Sequence, residues 1–393
     1  MITFAHYFGV YLKCICMKEV LCLFFIFVSL SACKQNMRQG GSADTSKTKG
    51  ERVDIKYAKG FSVYDFGDFK LVDMQDPVGE DVLKYRYALV KKGSNPGGVP
   101  DDYHIIETPV QSVVCMTTLQ VSGFIKLGAT DRIAGMPSAR FLFNRQLNEQ
   151  LKSGKTTRIG IEGEFDVELV LSLNPDAILI SPFKRGGYEA IRDLDIMLVS
   201  FLGYKERTPL GQAEWIKFTG MLLGLEEQAF ALFDEIERQY LNLCSLVENV
   251  KEKPVVLSGE LHSGNWYVVG GNSYLAQLFR DAGADYFMKN DDESGGFYVD
   301  FETVYSQGAN ADFWRMLNSY NGTFSYDVLK QSDTRYADFK AFKDRKLIYC
   351  NLRDKPFYEN TPVEPEVVLA DLIRIFHPSI LPDHVPVYYE LLE

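Results

Sequence analysis

The side chains in this 393-residue sequence best suited to chemistry are cations and aromatic rings placed in loops. The cations are Arg140, Lys184, Arg185 and Arg353; the rings are Phe183, Trp266, Tyr298, Trp314 and Tyr320. A guanidinium offers two parallel N–H donors to a carboxylate, and Trp or Tyr offers a flat face with one polar handle. This is the chemistry of a binding cleft. Trp266, beside Gly264-Asn265, is the best-placed wall, whereas Trp314 reads as core before wall and Arg140 has the alternative of pairing with surface acids.

Bond-making groups are poorly assembled. Gly154-Lys155-Thr156 has the end of a phosphate loop, but Glu149 stands where its first glycine must be. No Gly-x-Ser-x-Gly elbow and no His-Glu-x-x-His helix occurs. Glu162 and Glu164 form an acidic pair of the kind glycoside hydrolases use, although carboxylates in a Gly-rich loop are usually solvated. His104, His262, His377 and His384 are widely separated, so no metal site is read from them. His262, at a strand end, is open to a role as axial ligand or hydrogen-bond donor, or to a structural one. Cys115, Cys244 and Cys350 sit in apolar surroundings and read as small buried residues, with no disulfide framework. The net charge of −11 disfavours nucleic acid as a partner.

The elements that must position these loops are organised around residues 225–253. This stretch holds no Gly or Pro, and Ala229, Phe233, Ile236, Tyr240, Leu243, Val247 and Val250 fall on one face of a helix. Glu226 and Glu227 near its start and Lys251 and Lys253 near its end suit the macrodipole, and Pro254 stops it. Such a helix spans roughly 35–45 Å. Before it, apolar strands at Val110–Met116, Arg132–Met136 and Ala177–Ile180 alternate with helices at Thr117–Leu127 and Glu168–Leu173. After it come strands at Val255–Leu257 and Leu347–Cys350 and helices after Ser273, at Phe301–Ser306 and at Pro365–Phe376. Uninterrupted apolar strands between helices predict parallel α/β sheets, whose ligands gather at the carboxyl ends of the strands. The two halves echo each other. Leu127-Gly128-Ala129-Thr130-Asp131 matches Ala282-Gly283-Ala284-Asp285, and Glu168 with Asn174-Pro175-Asp176 matches Glu302 with Asn310-Ala311-Asp312.

Upstream, Met17-Lys18 opens onto the apolar run Val20 to Leu30, which ends at Leu30-Ser31-Ala32-Cys33. This pattern resembles a bacterial secretory signal with a lipobox, cleaved and lipidated at Cys33; an uncleaved anchor is the alternative. Translation starting at Met1 or at Met17 is left open. Residues 34–52 read as a flexible tether, and alternation from 53 to 102 reads as a β meander.

The run Leu127 to Gly135, the run Glu168 to Ile178, Pro209-Leu210-Gly211, Glu214-Trp215-Ile216-Lys217-Phe218 and Ala282-Gly283-Ala284-Asp285-Tyr286 together resemble the substrate-binding lipoproteins of ABC importers for ferric siderophores, haem and cobalamin. The likeness covers about residues 103–376. It implies two Rossmann-like α/β lobes, at 103–224 and 254–393, joined by one long backbone helix at 225–253, with an N-terminal β extension outside the family pattern. It implies no catalysis and no resident cofactor. The ligand would be an iron chelate, haem or cobalamin held between the lobes by Arg140, Phe183, Arg185, Trp266, Tyr298, Tyr320 and Arg353. Glu168 and Glu302 would dock on the permease, which works with its ATPase, and the lipid on Cys33 would be the membrane anchor, on the periplasmic or outer side of a bacterial membrane. A surface lipoprotein that binds a protein or glycan is the alternative.

Overall fold

The computed structural model describes residues 50–79, 84–137, 142–161, 164–182, 188–192 and 196–393. The signal, lipobox and Cys33, together with Arg140, Phe183, Lys184, Arg185 and Glu162, lie outside the described residues.

Two five-stranded sheets, each with a switch of strand order beside its first strand, carry the fold. In the first, strands run 198–200, 177–180, 113–115, 133–136 and 157–158 across the sheet, all parallel. In the second, the order is 285–286, 255–258, 313–318, 347–351 and 390–391, parallel except for the last pair. In each sheet the first strand in sequence is flanked by the second on one side and by a later strand on the other, the fourth (177–180) in the first sheet and the third (313–318) in the second, the arrangement that creates a crevice at a topological switch point. The interior strands Val113–Cys115 and Leu347–Asn351 are wholly buried, as sheets covered on both faces require.

The sequence echo has a physical basis. Gly128 and Gly283 both take positive φ (68° and 75°), and the residues after them return the same bonds, Ala129 N–H to Phe124 O and Ala284 N–H to Phe279 O. These are αL helix terminations, for which glycine pays no steric penalty. Asp176 accepts from the Gln111 and Ser112 N–H groups (2.6 and 3.0 Å), and Asp312 accepts from Val255 N–H (2.9 Å). Each aspartate thus fastens the entry to its sheet's first strand. Asp166 and Asp300 each cap a helix and place Glu168 and Glu302 in its first turn.

The organising helix runs Glu226–Val247, about 33 Å at the standard rise. It buries Ala229, Phe233, Ile236, Tyr240 and Val247, as its spacing predicts. It ends earlier than 253, so Lys251 and Lys253 lie outside its last turn; Val250 closes a short turn on Val247, and residues before Pro254 are driven out of the α region. On one side it packs on the helix Trp215–Leu223 of the first half, and on the other on Pro365–Phe376 of the second. Tyr240 also donates to Asp281 (2.7 Å). The helix therefore bridges the two lobes.

A second bridge was not legible beforehand. Helix Thr118–Lys126 packs on the segment Phe357–Val363, and Lys126 pairs with Glu364 at 3.0 Å. The buried Glu359 carboxylate accepts from the Phe143 and Asn144 N–H groups at 2.5 and 2.8 Å. This fastens the backbone at the start of the helix Arg145–Ser153 to the second half of the chain.

The N-terminal extension is a sheet of its own, with strands at 51–52, 61–65, 69–75, 84–91 and 104–108 in sequential order. The first three pairings are antiparallel and the last is parallel, Tyr87 to His104 onward. Residues 104–108, expected in the first lobe, therefore belong to this sheet, and Glu51-Arg52, expected in the tether, forms its edge strand.

Candidate functional site

In the first lobe the switch point lies between the ends of Val113–Cys115 and Ala177–Ile180. Gln120 is buried in the first turn of the following helix. Its carbonyl oxygen accepts from the Met116 and Thr117 N–H groups (2.7 and 3.2 Å), while its amide donates to Ser181 Oγ (3.0 Å). One side chain thus ties the two strand ends together. The Thr117 hydroxyl is buried beside it with no partner among the described residues.

In the second lobe the equivalent crevice lies between the ends of Val255–Ser258 and Phe313–Asn318. Two indoles hold the loop that opens it: Trp266 Nε1 donates to Ser258 O (3.1 Å) and Trp314 Nε1 to Gly259 O (2.9 Å). Both rings are wholly buried and pack at 5.5 Å on one another. Trp266 is therefore not a ligand wall. The alternation of the strand Asn265–Val269 sends it into the core and presents Tyr267 on the opposite face. Gly259 has φ +96°, and a Cβ there would lie 2.1 Å from Tyr267 O. Gly259→Ala is expected to lower stability by about 1–3 kcal/mol through backbone strain alone, read as a fall in melting temperature.

Glu260 follows that glycine. Burial raises its carboxyl pKa, against the pull of His262, a hydrogen bond with Asn318 and the charge of Arg315. Asn318 also accepts from the Tyr349 hydroxyl and from Tyr320 N–H (2.9 and 3.2 Å). Arg353 donates to Ser319 O (3.0 Å), and Asn351 donates to Tyr320 O (3.2 Å). Tyr320 and Arg353 are thus brought together at adjacent strand ends. Tyr298 lies opposite Tyr267 across an antiparallel pair, with ring centres 5.3 Å apart and both rings exposed. His262 is exposed, and among the described residues no three His, Cys, Asp or Glu side chains gather as metal ligands.

Gln120, Tyr267, Tyr358, Glu260 and Arg315 were not anticipated. Arg315 carried a usable signal: it interrupts the apolar run Phe313-Trp314-Arg315-Met316-Leu317. The strand Phe313–Asn318 that carries it is not among the strands read from the sequence.

Glu168 and Glu302 are both exposed, at the same position of matching helices. No helix among the described residues is long and apolar enough to cross a membrane.

Residues 113–352 match the sequence profile of a family described as periplasmic binding protein. An uncharacterized lipoprotein of Methanocaldococcus jannaschii is 26% identical over 363 residues, 89% of each chain. A periplasmic binding protein from Veillonella parvula superposes with a TM-score of 0.59 at 15% identity, covering 79% of this chain and 99% of that one. A periplasmic heme binding protein from Pseudomonas aeruginosa superposes with a TM-score of 0.56 at 18% identity, covering 72% and 98%.

Proposed function

The chain belongs to the periplasmic binding protein family, and from that premise we propose that it is the substrate-binding lipoprotein of an ABC importer. It captures an iron complex, a ferric siderophore or haem, or else cobalamin, between its two lobes and delivers it to a membrane permease. The observation that carries this reading is the duplication: two mainly parallel sheets, each with a switch point beside its first strand and polar or aromatic side chains there, on either side of an unbroken helix. A cleft of this kind binds without making bonds. The haem binding of the Pseudomonas neighbour supports a flat macrocycle as one candidate, and the archaeal relative's description as a lipoprotein supports an exported chain anchored through Cys33.

Tyr298, Tyr320 and Arg353 are assigned to the ligand wall of the second lobe; Arg140, Phe183 and Arg185 are assigned to loops of the first. Trp266 supports that wall from behind. Titration of the purified protein with haem, cobalamin and ferric chelates, followed by absorption and intrinsic fluorescence, tests the reading. Saturable micromolar or tighter binding to one of them is expected; no binding to any would overturn it. The exposed Tyr267–Tyr298 pair favours a second reading, a surface lipoprotein that stacks a glycan or protein on these rings. A response to glycans alone would favour it.

Glu168 and Glu302 are assigned to permease docking, because equivalent carboxylates on two lobes sense the spacing between them. The double variant Glu168→Arg/Glu302→Arg is expected to reduce uptake about tenfold or more, a cost of roughly 1.4 kcal/mol in docking, with ligand affinity unchanged. Unaltered uptake would remove the assignment.

A further inference from the structure

Arg315 occupies the middle of the strand Phe313–Asn318, in register with Ser258, the last residue of the neighbouring strand Val255–Ser258. It therefore stands at the switch-point crevice of the second lobe, beside Gly259, whose N–H bonds to Arg315 O (3.3 Å). Its side chain is half-buried. Nε and Nη2 both donate to a single oxygen, the Tyr389 hydroxyl, at 2.9 and 2.6 Å, and the guanidinium lies 5.4 Å from the centre of that ring. Among the described residues no carboxylate comes within ion-pair distance of it, the buried Glu260 acting on it only at longer range, and Nη1 makes no hydrogen bond. A guanidinium carries five N–H donors and keeps its charge, so this cation is held in place without being neutralised.

The hold is built from elsewhere. Asp371, wholly buried on the helix Pro365–Phe376, accepts from the N–H groups of Val387, Tyr388 and Tyr389 (2.9, 2.6 and 3.0 Å). That fixes the C-terminal tail, and the tail fixes Tyr389 against Arg315. The phenol of Tyr358, about half exposed, lies near enough to interact with the guanidinium electrostatically. A charge that is pre-oriented and has no carboxylate within ion-pair distance is suited to a forked bond with an incoming carboxylate.

We propose that Arg315, oriented by Tyr389, is the anion-recognising residue of the cleft and selects ligands that present a carboxylate. This rests on the ligand-capture reading above and narrows its ligand class. The carboxylate could belong to a ferric polycarboxylate chelate or to a haem propionate, so ferric citrate, haem and a neutral ferric trihydroxamate serve as separate probes of the full-length protein. We expect a carboxylate probe to bind best. Arg315→Gln should weaken that probe about 10–100-fold, the range for charge-assisted hydrogen bonds, and leave any affinity for the trihydroxamate unchanged. Arg315→Lys keeps the charge but loses the fork, so it should fall between. Tyr389→Phe, a positioning change, should weaken the carboxylate probe alone and leave any affinity for the trihydroxamate unchanged. Should Arg315→Gln fail to fold, the Lys and Tyr389→Phe variants decide by the same comparison. Equal losses on carboxylate and neutral probes, no loss in any variant, or binding of the trihydroxamate alone would overturn the inference and leave ligand capture standing. No binding of any probe to the wild type would overturn both.

Discussion

Glu214→Ala is expected to destabilise the protein by about 3–5 kcal/mol, the cost of removing one member of a buried ion pair. Glu214 is wholly buried and pairs with the equally buried Lys217 at 2.8 Å. The same carboxylate accepts from three successive backbone N–H groups of the extension, Lys56, Tyr57 and Ala58, at 2.9, 2.7 and 2.9 Å. Glu206 continues the series by accepting from Lys59 and Gly60 and from the Trp215 indole. Five consecutive amides are thus held by two carboxylates of the first lobe. Removing Glu214 would leave Lys217, which also donates to Asp54 O and lies 4.5 Å from the centre of the Phe233 ring, as an uncompensated buried charge. Denaturant unfolding measures the loss, and limited proteolysis should cut near residues 54–60 first. A variant within 1 kcal/mol of wild type, by the scale of ordinary surface substitutions, would show that the extension is held by its apolar contacts instead.

Glu366 is expected to make stability fall as pH rises. It is buried in the first turn of the helix Pro365–Phe376, and one of its carboxylate oxygens has no partner among the described residues. Burial pushes its pKa up from 4.5 to about 7; Lys126 opposes the shift, Glu364 and Glu235 add to it, and Tyr274 also faces the group. Between these values the unfolded chain has released this proton while the folded one still holds it. Stability is therefore full below pH 4.5 and declines until about 7, by roughly 3–4 kcal/mol at 1.4 kcal/mol per pKa unit. Glu366→Gln, uncharged at every pH, should match wild type in acid and exceed it by that amount at about pH 8. Melting curves of the two proteins across this range check the sign, and parallel curves would contradict it.

Much of this architecture could be read before any coordinates, because it rests on local rules. The helix Glu226–Val247 follows from spacing, the terminations at Gly128 and Gly283 from the freedom of glycine at positive φ, and Asp176 and Asp312 from the repeated pattern around them. The site was less legible, since burial is decided by distant partners. Trp266 sits in a short strand whose alternation could have been phased either way, and the Trp314, Tyr336 and Phe339 rings decide it. Arg315 was passed over because its partner Tyr389 lies 74 residues on. The bridge through Glu359 depends on a contact 216 residues apart and carries no local signature.

The central claim is that one ligand is gripped by both lobes. Hydrogen–deuterium exchange, measured with and without the probe that binds in titration, tests it most directly. The account predicts simultaneous protection of the amides around Met116–Gln120 and Ser181 in one lobe and around Gly259–Leu261 and Asn318–Tyr320 in the other, with the helix Glu226–Val247 unchanged. Protection confined to one lobe, or to the exposed Tyr267–Tyr298 face, would contradict it.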